Sequence, residues 1–312
     1  MKFSIVIPSY NGDDLLNQSI PPLLQSIKTT NIKDYEVIII DQQTNPEVNG
    51  QAPRGWRLAE GKDDSPEVKA ERAHLNIFTF PHPLGFASAA NIGIKKAKGD
   101  YILLLNNDCL LYKNTIKNLL AFLKANKNIY FTQPIIKEND KEICGYNVRL
   151  NIAKAIPVLY HPKGGWQKTP GVALWASPGV KTDKTIFSHP TFFGLSATCL
   201  LLRRQTFSGL GYFDESFHSY LEDIDFCFRA AKQNINYALC LTAKATHLHM
   251  QTSGKMGSYK AKHDLLNWIR IILKHYPAGY ISLHFPSLFI ERLRNLSGLI
   301  KTYTQKNKPP NV

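Results

Sequence analysis

The chain has 312 residues, of which 44% are hydrophobic, and it carries a formal net charge of +14. This composition excludes a disordered chain and allows one large α/β domain with extensions or two small domains. The strong positive charge favours anionic partners such as nucleic acid, anionic lipid head groups or phosphorylated small molecules, and composition does not choose among them.

The five cysteines are scattered and have no metal-binding spacing, which is typical of reduced, buried thiols in a cytosolic protein. The N-terminal residues begin a strand at once, and polar residues follow before the apolar region of a signal peptide is complete. No uncharged apolar run reaches about 18 residues, so we expect no transmembrane span. The sequence therefore predicts a cytoplasmic protein.

Apolar strands and amphipathic helices alternate from the N-terminus to residue 132. The first helix contains Pro21 and Pro22, which should kink it or divide it in two. Such alternation is typical of a parallel sheet that is covered by helices on both faces. The predicted strands are residues 3–7, 35–40, 77–80, 101–105 and 129–132, and later helices are predicted at 84–97 and 114–125.

The middle of the chain is less regular. Residues 42–73 are polar, and we interpret them as a long surface loop with a short helix near 67–73. Residues 138–190 are interpreted as a β-rich or loop-like excursion that shapes a second substrate site. Regular structure is then predicted as strands at 197–202, 235–241 and 245–249 and a helix at 222–233.

Residues 256–312 are predicted to form two amphipathic helices, at 262–275 and 281–303, and a disordered tail from 305. For the first helix we favour packing against the rest of the chain, because Trp268 and its neighbours are typical of a core. The second helix either packs in the same way or lies on an anionic membrane surface. Pro286 should break it near its start.

Polar side chains follow two of the predicted strands directly. Asn106, Asn107 and Asp108 come after the apolar run 101–105, and Asp41 comes after the second strand. The carboxyl ends of parallel strands meet at one edge of the sheet, where ligands bind. A carboxylate with amide neighbours suits a hard cation such as Mg²⁺. The alternative is a turn that caps the following helix.

Three acids, Glu222, Asp223 and Asp225, lie in one short segment. Repulsion among neighbouring acids raises the pKa of a carboxyl group that acts as a general base. The same pattern is also typical of a helix start that is stabilised by the helix dipole. His247 and His249 alternate on a predicted strand, where one of them can simply lie at the surface.

The order of these segments resembles the inverting family 2 glycosyltransferases with a GT-A fold, and most of all the rhamnosyltransferase-like bacterial enzymes of surface-polysaccharide assembly. The resemblance covers residues 2–254, except for 138–190, and it rests on several pieces in family order rather than on one. The matching pieces are IVIPSYN at 5–11, IIID at 38–41, LGFASAANIG at 84–93, LLNND at 104–108, GYFDE at 211–215, YLEDIDFCFR at 220–229 and ATH at 245–247.

The resemblance implies a GT-A (Rossmann-like) α/β domain at 1–255, with a mostly parallel sheet, helices on both faces and an acceptor-side excursion at 138–190. The C-terminal helical extension would follow at 256–312. It also implies a donor that is a nucleoside-diphosphate sugar linked to UDP or dTDP, Mg²⁺ or Mn²⁺ as the cofactor, and a glycan or lipid-linked acceptor. An enzyme of this kind would work in the cytoplasm, at the inner face of the cytoplasmic membrane.

The resemblance also implies individual roles. Asp223 would be the general base, Asp108 would contact the metal, and His247 would be a further contact to the metal or the diphosphate. Asn106 stands where the family has the first acid of its metal motif, so Asp108 would be the main metal carboxylate. The implied donor-binding residues are Pro8, Tyr10, Asn11, Asp41, Gly85, Asn91, Asn106 and Asn107. The implied acceptor-side residues are Asp214, Glu222 and Asp225.

Alternatives stay open for several of these roles. Gly85 and Asn91 are also typical of turn and packing positions, and Asp214 is equally typical of a helix cap. A nucleotide-sugar-binding protein that has lost catalysis would carry the same fold. Nucleic-acid binding is suggested by the charge alone, because no nucleic-acid-binding motif is present and the aromatic residues do not alternate with a basic stripe.

Overall fold

The computed structural model describes residues 2–42, 74–137, 148–158, 191–248 and 257–306. Their strands form one eight-stranded sheet and one three-stranded sheet. The large sheet contains β1 (Phe3–Tyr10), β2 (Tyr35–Gln42), β3 (Leu75–Phe80), β4 (Tyr101–Leu105), β5 (Cys109–Leu111), β6 (Ile129–Lys137), β10 (Cys199–Arg203) and β11 (Asn236–His247). The small sheet contains β7 (Val148–Asn151), β8 (Ile156–Val158) and β9 (Thr191–Gly194).

The large sheet is mixed, with the strand order β3-β2-β1-β4-β10-β6-β11-β5. The pairs β1–β2, β1–β4, β2–β3 and β6–β11 are parallel. Strand β10 is antiparallel to both of its neighbours, and β5 is antiparallel to β11. The prediction of a mostly parallel sheet is confirmed, and the carboxyl ends of β1, β2 and β4 lie at one edge.

Helices cover both faces of the large sheet, as the alternation of side chains along β1 requires. Ile5 and Ile7 are buried against one set of helices, whereas Val6 is buried on the opposite face. The helices are α1 (Asp13–Lys28), α2 (Phe86–Lys96), α3 (Thr115–Ala125), α4 (Gln205–Leu210), α5 (Glu222–Lys232), α6 (Gly257–His275) and α7 (Ala278–Lys306). Helices α1 and α3 share one core cluster, and α2, α5 and α6 share the other.

The prolines do not end the helices in which they lie. Pro21 and Pro22 are inside the continuous helix α1, and Pro286 is inside α7, so the predicted break at Pro286 is wrong. A proline removes one intrahelical hydrogen bond, but apolar residues just beyond each site remain packed in the core. Leu23 is fully buried after the first pair, and Leu288 is 4% exposed after Pro286.

The C-terminal part of the large sheet also differs from the prediction. The two strands predicted at 235–241 and 245–249 are one strand, β11, which is irregular between Cys240 and Lys244. Such an irregularity absorbs extra residues without ending a strand. Strand β5 and helix α4 were not predicted, because they contain only three and six residues.

Some predictions fall outside the described residues. These are the loop at 43–73 with its short helix, most of the excursion at 138–190, His249, and the end of the tail at 307–312. Of the excursion, the structure describes β7, β8 and the turn between them, and β9 begins directly after it.

Helix α6 belongs to the core, as the sequence predicts. Trp268 is 3% exposed and Ile271 is fully buried, in the same cluster as Phe226 of α5. Helix α7 packs through Leu288 and leaves much of its apolar surface exposed. Over the ranges that the structure describes, no helix combines the length and hydropathy needed to cross a membrane.

Candidate functional site

The predicted strand-end residues converge at one edge of the sheet. Ser9 at the end of β1 pairs in register with Asp41 of β2, which is fully buried. On the other side of β1, Asn107 follows β4 and its Nδ2 donates to Ser9 Oγ at 3.1 Å. The ends of β1, β2 and β4 therefore form one continuous polar surface. Pro8 and Tyr10 lie on the same strand end.

Two close approaches keep this surface compact. A Cβ atom on Gly12 would lie 2.0 Å from Asn107 Nδ2 and 2.6 Å from Ser9 Oγ, so only glycine allows Asn107 to reach Ser9. Asn11, the residue before it, has a φ of 44°, in the left-handed region. The chain therefore turns sharply just where β1 ends.

Gln42 is a site residue that the sequence interpretation missed. Its Oε1 accepts a hydrogen bond from Leu84 N at 2.8 Å, and its Nε2 donates to Ser9 O at 3.3 Å. Gln42 is 3% exposed. It therefore connects the ends of β1 and β2 to the segment that opens α2. Its position directly after Asp41 was the only signal in the sequence.

Asp108 and His247, the two predicted metal contacts, are neighbours. The distance between Asp108 Oδ1 and His247 Nε2 is 3.1 Å, and both residues are largely buried. Pairing between β5 and β11 brings them together, because His247 lies opposite Cys109 and Leu248 N donates to Asp108 O at 2.8 Å. A pair that is 139 positions apart in the sequence is thus placed by strand register.

The residues around Asp108 fit a divalent cation. Asn106 Oδ1 is buried and accepts no hydrogen bond from the residues that the structure describes. A carboxylate, an amide oxygen and an imidazole are suitable ligands for Mn²⁺, and Mg²⁺ is commonly held by one or two carboxylates together with phosphate oxygens. Among the described residues, no group of three His, Cys, Asp or Glu suits a metal. Asp108, His247 and Asn106 would therefore hold an ion together with water or phosphate.

Two adjacent acids open helix α5. Asp223 is half-buried, and its carboxylate accepts hydrogen bonds from Ala197 N at 3.2 Å and from Ile224 N at 2.8 Å. Burial raises the pKa of Asp223 although these hydrogen bonds oppose the shift. Burial, followed by repulsion from Asp223, raises the pKa of Glu222 well above its usual range. Such a pair suits proton transfer.

One turn, residues 195–198, connects the acids of α5 to the end of β4. Ala197 N donates to Asp223, and Thr198 O accepts from Asn106 N at 2.9 Å. Ser196 N in turn donates to Gln133 Oε1 at 2.6 Å, which anchors the turn to β6. No sequence pattern indicated this bridge, since it depends on contacts between β4, β6, β10 and α5.

Asp225 does not share the surroundings of Asp223. It is fully buried and contacts Arg229 at 2.8 Å, Lys274 at 2.7 Å and His275 at 2.8 Å. Burial favours the neutral acid, but these partners lower the pKa of Asp225 to about 2. The acceptor-side prediction for Asp225 is therefore corrected: residues two apart on a helix point about 200° away from each other, so Asp225 faces α6.

Asn91 and Asp214 are both engaged within the protein. Asn91 Nδ2 donates to Phe213 O at 2.9 Å and to Glu215 Oε1 at 2.8 Å, and its Oδ1 accepts from Phe213 N. These contacts favour the packing alternative for Asn91. Asp214 Oδ1 accepts from Ser216 N at 3.0 Å, which is the capping alternative, and its Oδ2 contacts Lys274.

Gly85 lies at the start of α2 with a φ of 82°. A Cβ atom there would lie 1.8 Å from His218 Nδ1, so the position requires glycine for both its conformation and its contact. Gly85 therefore allows the loop before α5 to approach α2.

The sequence matches the model of the glycosyl transferase family 2 over residues 59–210. Among characterised relatives, the low-salt glycan biosynthesis hexosyltransferase Agl10 of Haloferax volcanii is 24% identical, over 71% of this chain and 69% of the relative. The poly(ribitol-phosphate) β-N-acetylglucosaminyltransferase TarP of Staphylococcus aureus is 27% identical, over 41% of this chain and 34% of its own length. The chain thus spans about a third of TarP.

Solved structures share the fold. The mannosyltransferase PcManGT from Pyrobaculum calidifontis, solved with GDP-Man and Mn²⁺, aligns with a TM-score of 0.55 and 13% identity over 97% of this chain and 73% of that one. GalNAc-T7, solved with UDP, GalNAc and Mn²⁺, aligns with a TM-score of 0.54 and 16% identity over 80% of this chain and 43% of that one. Residues 59–210 of the chain therefore match glycosyltransferase family 2, and the structure has the GT-A fold of these solved glycosyltransferases.

Proposed function

We propose that this protein transfers a sugar, with inversion, from a nucleoside-diphosphate sugar to a hydroxyl group of a glycan or lipid-linked acceptor in polysaccharide assembly. The observation that carries the proposal is the bridge at 195–198, which holds Asp223 and Asn106 on either side of one short turn. A proton acceptor and a diphosphate site are the two parts that such a transfer requires.

The donor would lie across the ends of β1, β2 and β4. Asp41 would accept hydrogen bonds from the nucleobase, and the side of the site with Asp108 and His247 would face the diphosphate. The solved structures with this fold support a nucleotide-linked donor, because PcManGT is solved with GDP-Man and GalNAc-T7 with UDP. A divalent ion, when bound, would neutralise the charge that develops on the leaving diphosphate.

Asp223 would take the proton from the acceptor hydroxyl as its oxygen attacks the anomeric carbon. The new glycosidic bond forms while the bond between the sugar and the diphosphate breaks, so a single displacement inverts the anomeric centre. The main-chain donors Ala197 N and Ile224 N fix the orientation of the carboxylate before the reaction. The raised pKa of Asp223 makes it a stronger base than an ordinary aspartate.

A donor panel tests the proposal. The purified full chain would be incubated with Mn²⁺ and UDP-, dTDP- or GDP-linked sugars, and release of the nucleoside diphosphate would be measured without acceptor. We expect slow hydrolysis of one donor class, which Asp223→Asn abolishes without loss of donor binding. Binding of a donor with neither hydrolysis nor transfer would instead identify a nucleotide-sugar-binding protein, and binding of none would refute the proposal.

We also propose that α7 places the enzyme on an anionic membrane surface. Apolar side chains spaced three or four residues apart form a stripe along one side of this helix. Arg294 and Lys301 each follow a stripe residue by one position, so cations line the edge of the stripe. The exposed stripe consists of Phe285, Phe289, Leu293, Leu296, Ile300 and Tyr303.

The body of the protein holds α7 by its other side, so the stripe is best tested by substitution within the full chain. Arg292 Nη2 donates to Ala155 O at 2.8 Å, and Ser287 Oγ donates to Ala153 O at 2.7 Å. We expect the double substitution Phe289→Ser and Leu293→Ser to reduce flotation with anionic liposomes at low salt by about tenfold, whereas Leu273→Ser on α6 should not. Equal flotation of all three proteins would refute the membrane role.

A further inference from the structure

The loop before α5, residues 217–221, has an unusual backbone. His218, Tyr220 and Leu221 have φ angles of 60°, 71° and 66°, so three residues with side chains occupy the left-handed region. Each such conformation is unfavourable for a residue that carries a Cβ atom, and it persists only where the surroundings enforce it. The 217–221 loop must therefore be held by contacts from outside.

A buried side chain of α6 supplies these contacts. Asn267 is fully buried, and the two N–H groups of its Nδ2 are shared among three main-chain carbonyls of the 217–221 loop. The distances from Nδ2 are 2.9 Å to Phe217 O, 2.9 Å to Ser219 O and 2.7 Å to Tyr220 O. Asn267 Oδ1 accepts from Arg270 Nη1 at 2.6 Å, which orients the amide group. Buried carbonyls without such a donor would be costly.

The 217–221 loop also contacts the start of α2. Ala87 N donates to His218 O at 3.0 Å, and Phe86 N donates to Ser219 Oγ at 3.0 Å. Residues 84–93 are the piece of the family resemblance that contains the implied donor contacts Gly85 and Asn91. The loop is thus enclosed between α2 on the donor side and Asn267 on α6.

The loop leads directly into the acids of α5. Leu221 is the residue before Glu222, and Leu221 O accepts the first hydrogen bond of the helix, from Asp225 N at 2.9 Å. A change in the backbone at Tyr220 or Leu221 would therefore rotate or shift the first turn of α5. Asp223 lies in that turn, and its carboxylate must keep its hydrogen bond to the 195–198 turn.

We propose that Asn267 is a positioning residue for the transfer reaction: its amide group holds the 217–221 loop in its left-handed conformation and so directs the Asp223 carboxylate toward the acceptor. This inference rests on the proposed function. The amide group of Asn267 contacts main-chain oxygens of the loop and the side chain of Arg270, so it acts on the reaction through the loop and not on the substrates. Substitution of Asn267 should therefore change kcat more than the affinity for the donor.

The test compares variants that remove the amide donor but keep the branched shape of the side chain, with the same number of non-hydrogen atoms. Asn267→Asp and Asn267→Leu should each lower kcat by about tenfold to a hundredfold, because a shift of roughly 1 Å in a catalytic group has an effect of this size. The KM for the donor should stay within about twofold of the wild-type value. Arg270→Leu keeps the amide group of Asn267 but removes the hydrogen bond that orients it. This variant should also lower kcat, but by less than the Asn267 substitutions.

A matched control separates positioning from general stability. Asn118 on α3 also donates its Nδ2 to a main-chain carbonyl, that of Thr242, but far from α5 in the chain. Asn118→Leu should lower kcat by less than about twofold after correction for the folded fraction. The pH profile of kcat gives a second readout. Displacement of Asp223 in the Asn267 variants should shift the fall of kcat at low pH, whereas Asn118→Leu should leave it unchanged.

The outcomes distinguish this inference from the proposed function. Wild-type transfer together with unchanged kcat and pH profile in the folded Asn267 variants would refute the positioning role. A rise in donor KM at constant kcat would also refute it, because the loop would then serve donor binding. Absence of transfer by the wild-type protein with every donor would refute the proposed function itself, and the inference with it. If Asn267→Asp does not fold, the positioning role is tested with Arg270→Leu instead. A wild-type kcat in that variant would overturn the proposal.

Discussion

The strand-end side of the site, which we propose to be the donor side, and its acid-bearing side are built in different ways. On the donor side, strand register alone places the polar residues: Ser9 opposite Asp41, and His247 beside Asp108 through β5 and β11. On the other side, Asp223 depends on a left-handed loop and on side chains from α6. Strand pairing positions a residue without further contacts. An irregular loop in an unfavourable conformation instead needs a side chain from elsewhere in the chain to hold it.

This difference explains what the sequence predicts well. A run of apolar residues followed by Asn106, Asn107 and Asp108 identifies both a buried strand and the residues at its end. The rule that parallel strands present their carboxyl ends at one edge then brings Asp41 into the same site. A local sequence pattern and a general rule of sheet topology were therefore sufficient to predict the residues at the ends of β2 and β4.

The contacts around Asp223 have no such local signal. Asn267 and the 195–198 turn reach the acid-bearing segment from distant parts of the chain, and neither lies in a motif. Gln42 was missed for a related reason, since an amide after a strand has many possible partners. The family resemblance predicted the role of Asp223 as the general base, but it did not identify the residues that position its carboxylate.

The acids themselves show how a helix separates residues that the sequence places together. Asp223 accepts hydrogen bonds from main-chain donors and stays half-exposed, whereas Asp225 is enclosed by Arg229, Lys274 and His275. Their pKa values move in opposite directions, upward for Asp223 and downward for Asp225. One is suited to proton transfer and the other to holding α5 against α6.

The largest expected effect comes from removing the proton acceptor. Asp223→Asn should lower kcat by about a thousandfold, because general base catalysis contributes roughly 10²–10⁴. Donor affinity should change by less than about twofold, since the base acts only in the transition state. Steady-state transfer and donor titration measure the two quantities.

The pH profile of kcat sharpens this test. Because burial raises the pKa of Asp223, the acid limb of the wild-type profile should lie above the range of an ordinary aspartate, and activity should rise with pH through that limb. The residual activity of Asp223→Asn should lack this limb. Transfer within about tenfold of wild type, or ~1.4 kcal/mol in the barrier, would assign the role to another acid.

A smaller loss is expected on the donor side. Asp108→Ala should lower transfer by about a hundredfold, because the divalent ion that would neutralise the leaving diphosphate loses its carboxylate ligand. Chelation by EDTA should stop the wild-type enzyme, and Mn²⁺ should restore it but not the variant. Asp100→Ala is a suitable control, since Asp100 is exposed before β4 rather than after it. Full wild-type activity in EDTA would contradict the metal role and leave His247 and basic groups to stabilise the diphosphate.

The smallest expected effect concerns the free energy of unfolding. The pKa of Asp225 is about 2 in the folded protein, below the ordinary value of about 3.8, so ionised Asp225 stabilises the fold above pH ~4. This contribution, about 2 kcal/mol, should be lost as the pH falls through 2. Burial lowers the pKa of His275 as well, so protonation of this histidine in the unfolded chain should begin to reduce stability below pH ~6.5.

Comparison with Asp225→Asn isolates the aspartate. At pH 6 the variant should unfold with a free energy about 2 kcal/mol below that of the wild-type protein, because Arg229 and Lys274 lose their buried partner. That difference should shrink below pH 4 and approach zero near pH 2, where the wild-type carboxyl group is protonated too. Asp214→Asn, which removes the exposed partner of Lys274, should show a much smaller and flatter difference. Urea unfolding from pH 2 to 7 measures all three proteins. A difference for Asp225→Asn that stayed constant with pH would show that packing, and not the ion-pair network with α6, holds α5 in place.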